Sequence, residues 1–255
     1  MMLQQMFSLQ GRTALVSGAS RGLGRAIAIG LCGAGARVIL CGRDRAALEQ
    51  TQALLPDPGR SMVEPFDVTH EAAVAQMAER MRAAGWAPDI VINNAGTIDR
   101  AALDEINTAQ FEAVLRTNVT AAMLLARTFA PELRASPQGR VVNVASILGL
   151  MGKPCAASYI ASKHALIGLT RALSAELGDS GATVNALCPG YTRTEINTVL
   201  QNDPAFDQEV ISKTALGRWG ETQDMVGPVN FLCSPSASYM TGQLLVVDGG
   251  MTATL

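Results

Sequence analysis

The strongest constraint on the fold is a regular alternation of two kinds of segment. Short runs rich in Val, Ile and Leu occur at Thr13–Ser17, Arg37–Cys41, Ser61–Glu64, Ile90–Asn93, Arg140–Ala145, Thr183–Cys188 and Leu244–Val247. They show little polar alternation, as expected of strands covered on both faces. Between them lie helical stretches at Gly22–Gly33, Arg45–Leu54, Glu71–Ala84, Thr108–Leu133, Ser158–Gly178 and Thr222–Leu232. Strand–helix repetition of this kind implies right-handed crossovers. The expected fold is α/β, a doubly wound parallel seven-stranded sheet with helices on both faces. Turn residues punctuate the pattern at Pro56-Asp-Pro-Gly59 and Ser136-Pro-Gln-Gly139. No repeat, low-complexity tract or Gly/Ser-rich linker divides the chain, so a single domain over 1–255 is expected. Only the stretch 192–220 interrupts the alternation, and it is the expected substrate lid.

Composition narrows the function. At 48% hydrophobic and 16% charged residues the chain fits a compact protein rather than a disordered one. A net charge of −2 and the lack of a long basic run argue against a nucleic-acid partner. No apolar run reaches the ~18 residues that would suggest a membrane span. Met1–Gln10 has no cation ahead of an apolar segment, so it does not read as a signal peptide, and a cytoplasmic protein is expected. The five cysteines, Cys32, Cys41, Cys155, Cys188 and Cys233, form no CxxC pair, and only His70 and His164 could join them. Reduced thiols are expected, with no metal site. Cys155 lies between Ser146 and Tyr159 and is expected to border a substrate pocket.

The chemistry begins where the first strand runs into Gly18-Ala-Ser-Arg-Gly22-Leu-Gly24 and then a helix. Glycines there allow a tight turn and close approach of backbone to a pyrophosphate. The helix N-terminus supplies free N–H groups and the positive end of its dipole. A second constellation is Ser146, Tyr159 and Lys163. Positions i and i+4 share a helix face, so Lys163 can sit beside Tyr159 and lower its pKa toward that of a working acid or base. His164 points about 100° away around the helix and reads as structural or interfacial.

Cofactor choice is read from the second strand, which ends Leu40-Cys41-Gly42-Arg43. A carboxylate at that end would bind a ribose 2′-hydroxyl and repel a 2′-phosphate. None stands at Cys41 or Gly42. Arg43 follows at once, and Arg21 lies in the glycine turn; an arginine fork suits a phosphate. Asp44 reads as the cap of the next helix. NADP(H) is favoured, with NAD possible.

These motifs, taken in order, resemble the short-chain dehydrogenase/reductase family. The likeness runs from Gly11 to Gly250 through Ser17-Gly18-Ala-Ser20-Arg21-Gly22-Leu23-Gly24, Asp67-Val68, Asn93-Asn94-Ala95-Gly96, Asn118, Ser146, Tyr159…Lys163 and Pro189-Gly190. Ser17 stands where the family more often has Thr. The resemblance implies a Rossmann fold and assigns roles. Asp67 and Val68 would border the adenine. Asn93, Asn94, Ala95 and Gly96 would line the adenosine ribose and brace the sheet. Pro189, Gly190 and Thr192 would meet the nicotinamide end. Ser146 would orient the substrate oxygen, Tyr159 transfer the proton, Lys163 hold the nicotinamide ribose, and Asn118 position a water in a proton relay. It also implies a homotetramer built through the helices carrying Asn118 and Tyr159 and through the Leu244–Gly250 strand and Met251–Leu255 tail.

The substrate stays open. Ser212-Lys-Thr-Ala-Leu-Gly-Arg-Trp219-Gly220, Asp224-Met-Val-Gly-Pro228, Phe231-Leu232 and Pro189-Gly190-Tyr191 are similar to the subgroup that oxidises gluconate or related sugar acids. Arg193, Asn197 and Lys213 are available near the lid as polar partners for such a substrate. A 3-oxoacyl-thioester reductase shares the same motifs, and a non-catalytic cofactor-binding regulator is the alternative from another class.

Overall fold

The computed structural model describes Met2–Thr254; Met1 and Leu255, the ends of the expected domain and tail, lie outside the described residues. Its strands are β1 (Thr13–Ser17), β2 (Arg37–Gly42), β3 (Ser61–Pro65), β4 (Ile90–Asn93), β5 (Arg140–Val144), β6 (Thr183–Pro189) and β7 (Leu244–Val247). All pair in parallel, in the order β3-β2-β1-β4-β5-β6-β7. The order turns back between β1 and β4, which opens a crevice at the carboxyl ends of those strands.

The helices are α1 (Leu3–Met6), α2 (Gly22–Gly33), α3 (Arg45–Ala53), α4 (Glu71–Ala83), α5 (Thr108–Leu115), α6 (Ala121–Thr128), α7 (Ala130–Ala135), α8 (Ala157–Leu177), α9 (Thr198–Gln201), α10 (Pro204–Lys213) and α11 (Val226–Cys233). Side chains alternate across each strand, so both sheet faces are apolar. Ala14 and Val16 join a core with Ile27 and Leu31 of α2 and Val229 and Leu232 of α11. Leu15, between them, faces the other core, with Met77 and Met81 of α4 and Leu125 of α6. Among the described residues no helix is long and apolar enough to cross a membrane.

The structure departs from the sequence reading in the stretch expected as one helix over Thr108–Leu133. A π-helical turn, Arg116–Thr120, separates α5 from α6, and a break at Phe129 separates α6 from α7. Pro131 explains the second break, since it has no N–H and its ring collides with the preceding turn. The first turns on Asn118, which is buried in the widened turn and bonded to groups outside the helix. The stretch 192–220 contains α9 and α10, and a bridge between Thr192 and Gly220 closes its base.

Candidate active site

The ends of β1 and β4 are stitched together by polar groups. The Ser17 hydroxyl donates to the Ile92 carbonyl at 3.1 Å and accepts the N–H groups of Asn94 and Ala95, both at 3.0 Å. Asn94 Nδ2 donates back to the carbonyls of Ser17 and Gly18. Gly18 has φ 67° and Gly22 φ 53°, in the left-handed region. A Cβ at Gly24 would lie 2.2 Å from the Gly18 carbonyl oxygen and 2.5 Å from Asn94 Nδ2. Only glycine lets α2 start so close to the turn. Arg21 caps α2 in extended conformation, and no side chain among the described residues bonds the helix's free N–H groups. They are left available to an anion.

A cleft of about 560 Å³ opens in front of this turn. Every residue expected at the cofactor lines it except Asn93, which is buried in the sheet and donates to Asn143 Oδ1 at 2.8 Å. From the glycine turn come Gly18, Ser20, Arg21, Gly22, Leu23 and Gly24; Arg43 follows β2, and Asp67 and Val68 follow β3. Asn94, Ala95 and Gly96 follow β4, Pro189, Gly190 and Thr192 come from β6 and beyond, and α8 contributes Tyr159 and Lys163. Arg21 and Arg43 are exposed, with no ion-pair partner among the described residues. Burial would raise the Asp67 pKa. The Thr69 N–H and hydroxyl bonded to its carboxylate, with the charges of His70 and Arg43, outweigh that and lower it. Asp44 caps α3 through the Ala47 N–H, as expected. An uncapped helix start, left-handed glycines and unpaired arginines in one cleft fit a phosphorylated dinucleotide.

At the far end of the cleft Ser146 follows β5, nearly buried, its hydroxyl accepting the Leu148 N–H at 3.1 Å. Helix α8 is pinned against β5. Asn143 Nδ2 donates to Thr170 Oγ1 at 2.8 Å, and Lys163 Nζ donates to the Val144 carbonyl at 2.7 Å. The ammonium lies 5.4 Å from the centre of the Tyr159 ring. Burial pushes Lys163 down to about 8, and burial likewise pushes the neighbouring Cys188 thiol up to about 11. Burial raises the Tyr159 pKa too, against the Ser146 hydroxyl and the Arg100 charge, which lower it. This corrects the expected depression of the phenol by Lys163, because Nζ is turned to the Val144 carbonyl.

Asn118 does not line the cleft. Its Oδ1 accepts the Thr97 N–H at 2.8 Å, and its Nδ2 donates to the Thr97 carbonyl and the Ser162 hydroxyl, both at 2.9 Å. Ser162 in turn donates to the Tyr159 carbonyl at 2.7 Å. Asn118 is therefore tied to α8 one turn from the phenol, and its amide is fully engaged.

A second cavity, of about 240 Å³, shares Ser146 and Tyr159 with the cleft. It is largely apolar, walled by residues such as Ile147, Leu148, Leu200 and Phe206, with Tyr191 at one side. Its charged lining groups are Arg100 and Lys153, and no Asp or Glu lines it. Cys155 lines it as expected, with φ 57°. Two of the three lid residues singled out in the sequence, Arg193 and Lys213, fall elsewhere. Arg193 reaches Asp207 at 3.7 Å and Glu221 at 3.5 Å and lies over Trp219. Lys213 is exposed and paired with Glu209 one helical turn back. Asn197 does line the cavity, but its amide donates to the Thr192 carbonyl. Arg100 and Lys153 went unnoticed in the sequence. Lys153 carried a signal, being the one charged residue between Ser146 and Tyr159.

Known proteins share this arrangement. A family model described as Enoyl-(Acyl carrier protein) reductase matches residues 18–252. The chain is 36% identical to gluconate 5-dehydrogenase of Gluconobacter oxydans (strain 621H), over 98% of each chain. It is 32% identical to the 3-oxoacyl-(acyl-carrier-protein) reductase FabG of Vibrio cholerae, over 96% of this chain and 98% of that one. The crystal structure of a gluconate 5-dehydrogenase from Burkholderia cenocepacia J2315 in complex with NADP and tartrate superposes with a TM-score of 0.95 at 33% identity, covering all of both chains. The chain belongs to the short-chain dehydrogenase/reductase family. It is an NAD(P)-dependent oxidoreductase of that family.

Proposed function

We propose that the protein uses NADP(H) to interconvert a secondary alcohol and a ketone on a small sugar acid such as gluconate and 5-ketogluconate. The observation that carries this reading is the second cavity: two cations and no carboxylate, directly beyond Ser146 and Tyr159. Such a cavity suits a substrate that bears a carboxylate at a distance from its reacting carbon. The NADP preference is supported by the exposed, unpaired Arg21 and Arg43 beside the cleft, and by the NADP in the Burkholderia relative.

When bound, the nicotinamide accepts or donates the hydride. The chain does the rest. Ser146 donates a hydrogen bond to the substrate oxygen and steadies its developing charge. Tyr159 gives that oxygen its phenolic proton in reduction and takes it back in oxidation. The Lys163 ammonium holds the nicotinamide ribose and, once turned toward the phenol, favours phenolate. Asn118 keeps α8 and the Thr97 backbone in register. Both sites belong to one domain, with 192–220 as the lid. The family resemblance adds a homotetramer.

The apolar walls favour a second reading, reduction of a 3-oxoacyl thioester. NADP reduction with gluconate and other sugar acids, run beside NADPH oxidation with 5-ketogluconate, β-keto thioesters and simple ketones, separates the two. The sugar-acid reading predicts the highest kcat/KM for the gluconate pair. A clear preference for the thioesters would replace it. Silence across the whole panel would favour a non-catalytic regulator.

A further inference from the structure

Lys153 sits in the cavity wall in an unusual setting. Its Nζ lies 4.2 Å from the centre of the Phe206 ring and 5.3 Å from that of Tyr191. The two rings meet edge to face at 5.4 Å, and each packs on the buried Trp219, at 6.2 and 5.6 Å. The ammonium is thus held over an aromatic seat, half-buried, with no hydrogen-bond or ion-pair partner among the described residues. The carboxylate that feels its charge, Glu209, is taken by Lys213 at 2.7 Å and does not line the cavity. Ring faces offset part of the desolvation cost of a cation, but they satisfy none of its three N–H donors. Those donors, next to a largely apolar cavity, are the complement of an anion.

The positions of the other groups say which end of a substrate this is. Arg100 lines the cavity without lying on either ring of the seat, whereas Lys153 lies on both. Tyr191 lines the cavity together with Tyr159 and also lies under Lys153. Phe206 belongs to α10, within the lid stretch, and Lys153 to the loop between β5 and α8.

We propose that Lys153 is the specificity-determining residue for the substrate's carboxylate, seated on Tyr191 and Phe206 so that the anion also draws the α10 part of the lid onto the cavity. The proposal rests on the sugar-acid reading above, and the experiment tells their failures apart. The full chain with NADP is assayed on gluconate and on its neutral amide, gluconamide, with NADPH binding followed by fluorescence as a check on folding. Lys153→Met is expected to raise the KM for gluconate about 10- to 100-fold, the loss of one charge-assisted bond. It leaves kcat, gluconamide turnover and NADPH binding within about twofold. Lys153→Arg restores most of the loss, and Phe206→Leu gives a smaller KM effect of the same sign. An unchanged gluconate KM in Lys153→Met, or an equal loss on gluconate and gluconamide, overturns the proposal. Should the protein reduce only thioesters or simple ketones, the sugar-acid reading falls. Lys153 is then judged by tartrate as a competitive inhibitor of that reaction. Weaker inhibition in Lys153→Met supports the anion site, and unchanged inhibition removes it.

Discussion

The two cavities that meet at Ser146 and Tyr159 are built from different materials. The cofactor cleft gathers the glycine turn and residues at the ends of β1, β4 and β6, held in place by the Ser17–Asn94 stitches. The substrate cavity is made of side chains from a loop and the lid, with Lys153, Tyr191 and Phe206 among them. Backbone geometry offers a binding surface that most surrounding substitutions leave intact. Side-chain geometry can be rewritten one residue at a time. The difference separates what the enzyme class requires from what a particular substrate requires.

The sharpest way to break this division is at the shared boundary. Tyr159→Phe is expected to lower kcat about 10²- to 10⁴-fold, the usual share of a general acid–base group, with NADPH affinity unchanged by fluorescence titration. More than a few per cent of residual kcat would move the proton transfer elsewhere.

Lys163 comes next. Its folded pKa of about 8 lies below the unfolded value of about 10.4, so between those values the unfolded chain binds more protons and stability rises with pH. In the cofactor-free protein, wild type should gain about 3 kcal/mol on Lys163→Met between pH 7 and 10.5 by urea unfolding. A pH-independent difference would mean that the ammonium is not buried in solution.

On the cleft side, Gly24→Ala should cost about 1–3 kcal/mol and weaken NADPH and NADH alike, since its Cβ collides with backbone. Full stability with intact binding would contradict the backbone-built cleft. The smallest effect is expected at Arg43→Ala, about a tenfold rise in NADPH KM with NADH untouched. Equal effects on both cofactors would remove Arg43 from the 2′-phosphate.

The same division governed how much could be read from the sequence. The strands were legible because each is a short run centred on Val, Ile or Leu, and the cleft because glycine spacing and strand ends carry its geometry. Of the residues named for the cofactor, all but Asn93 line that cleft. The substrate cavity was read poorly. Arg193 and Lys213 were chosen for lying in the lid, yet each turns to carboxylates near at hand. For Lys213 the i, i+4 spacing from Glu209 already contained that answer. Arg100 reaches the cavity only through packing of loops distant in sequence, which no local pattern encodes, and Lys153 reaches Tyr191 and Phe206 in the same way. The widened turn at Asn118 was equally hidden, since its cause is a pair of bonds to Thr97 across 21 positions.

That turn also bears on how the gene can change. A π-helical turn carries one residue more than the α-helical ladder needs. Losing a single codon between Arg116 and Thr120 would let α5 and α6 fuse into one continuous helix. The turns on either side would keep their register, because the widened turn only absorbs the extra residue, and Leu124 and Leu125 would stay in the core. Asn118 would lose Thr97. The widened turn is where the chain can gain or lose one residue with least harm to the core, and what such a change would cost is the link from Asn118 to Thr97 and α8.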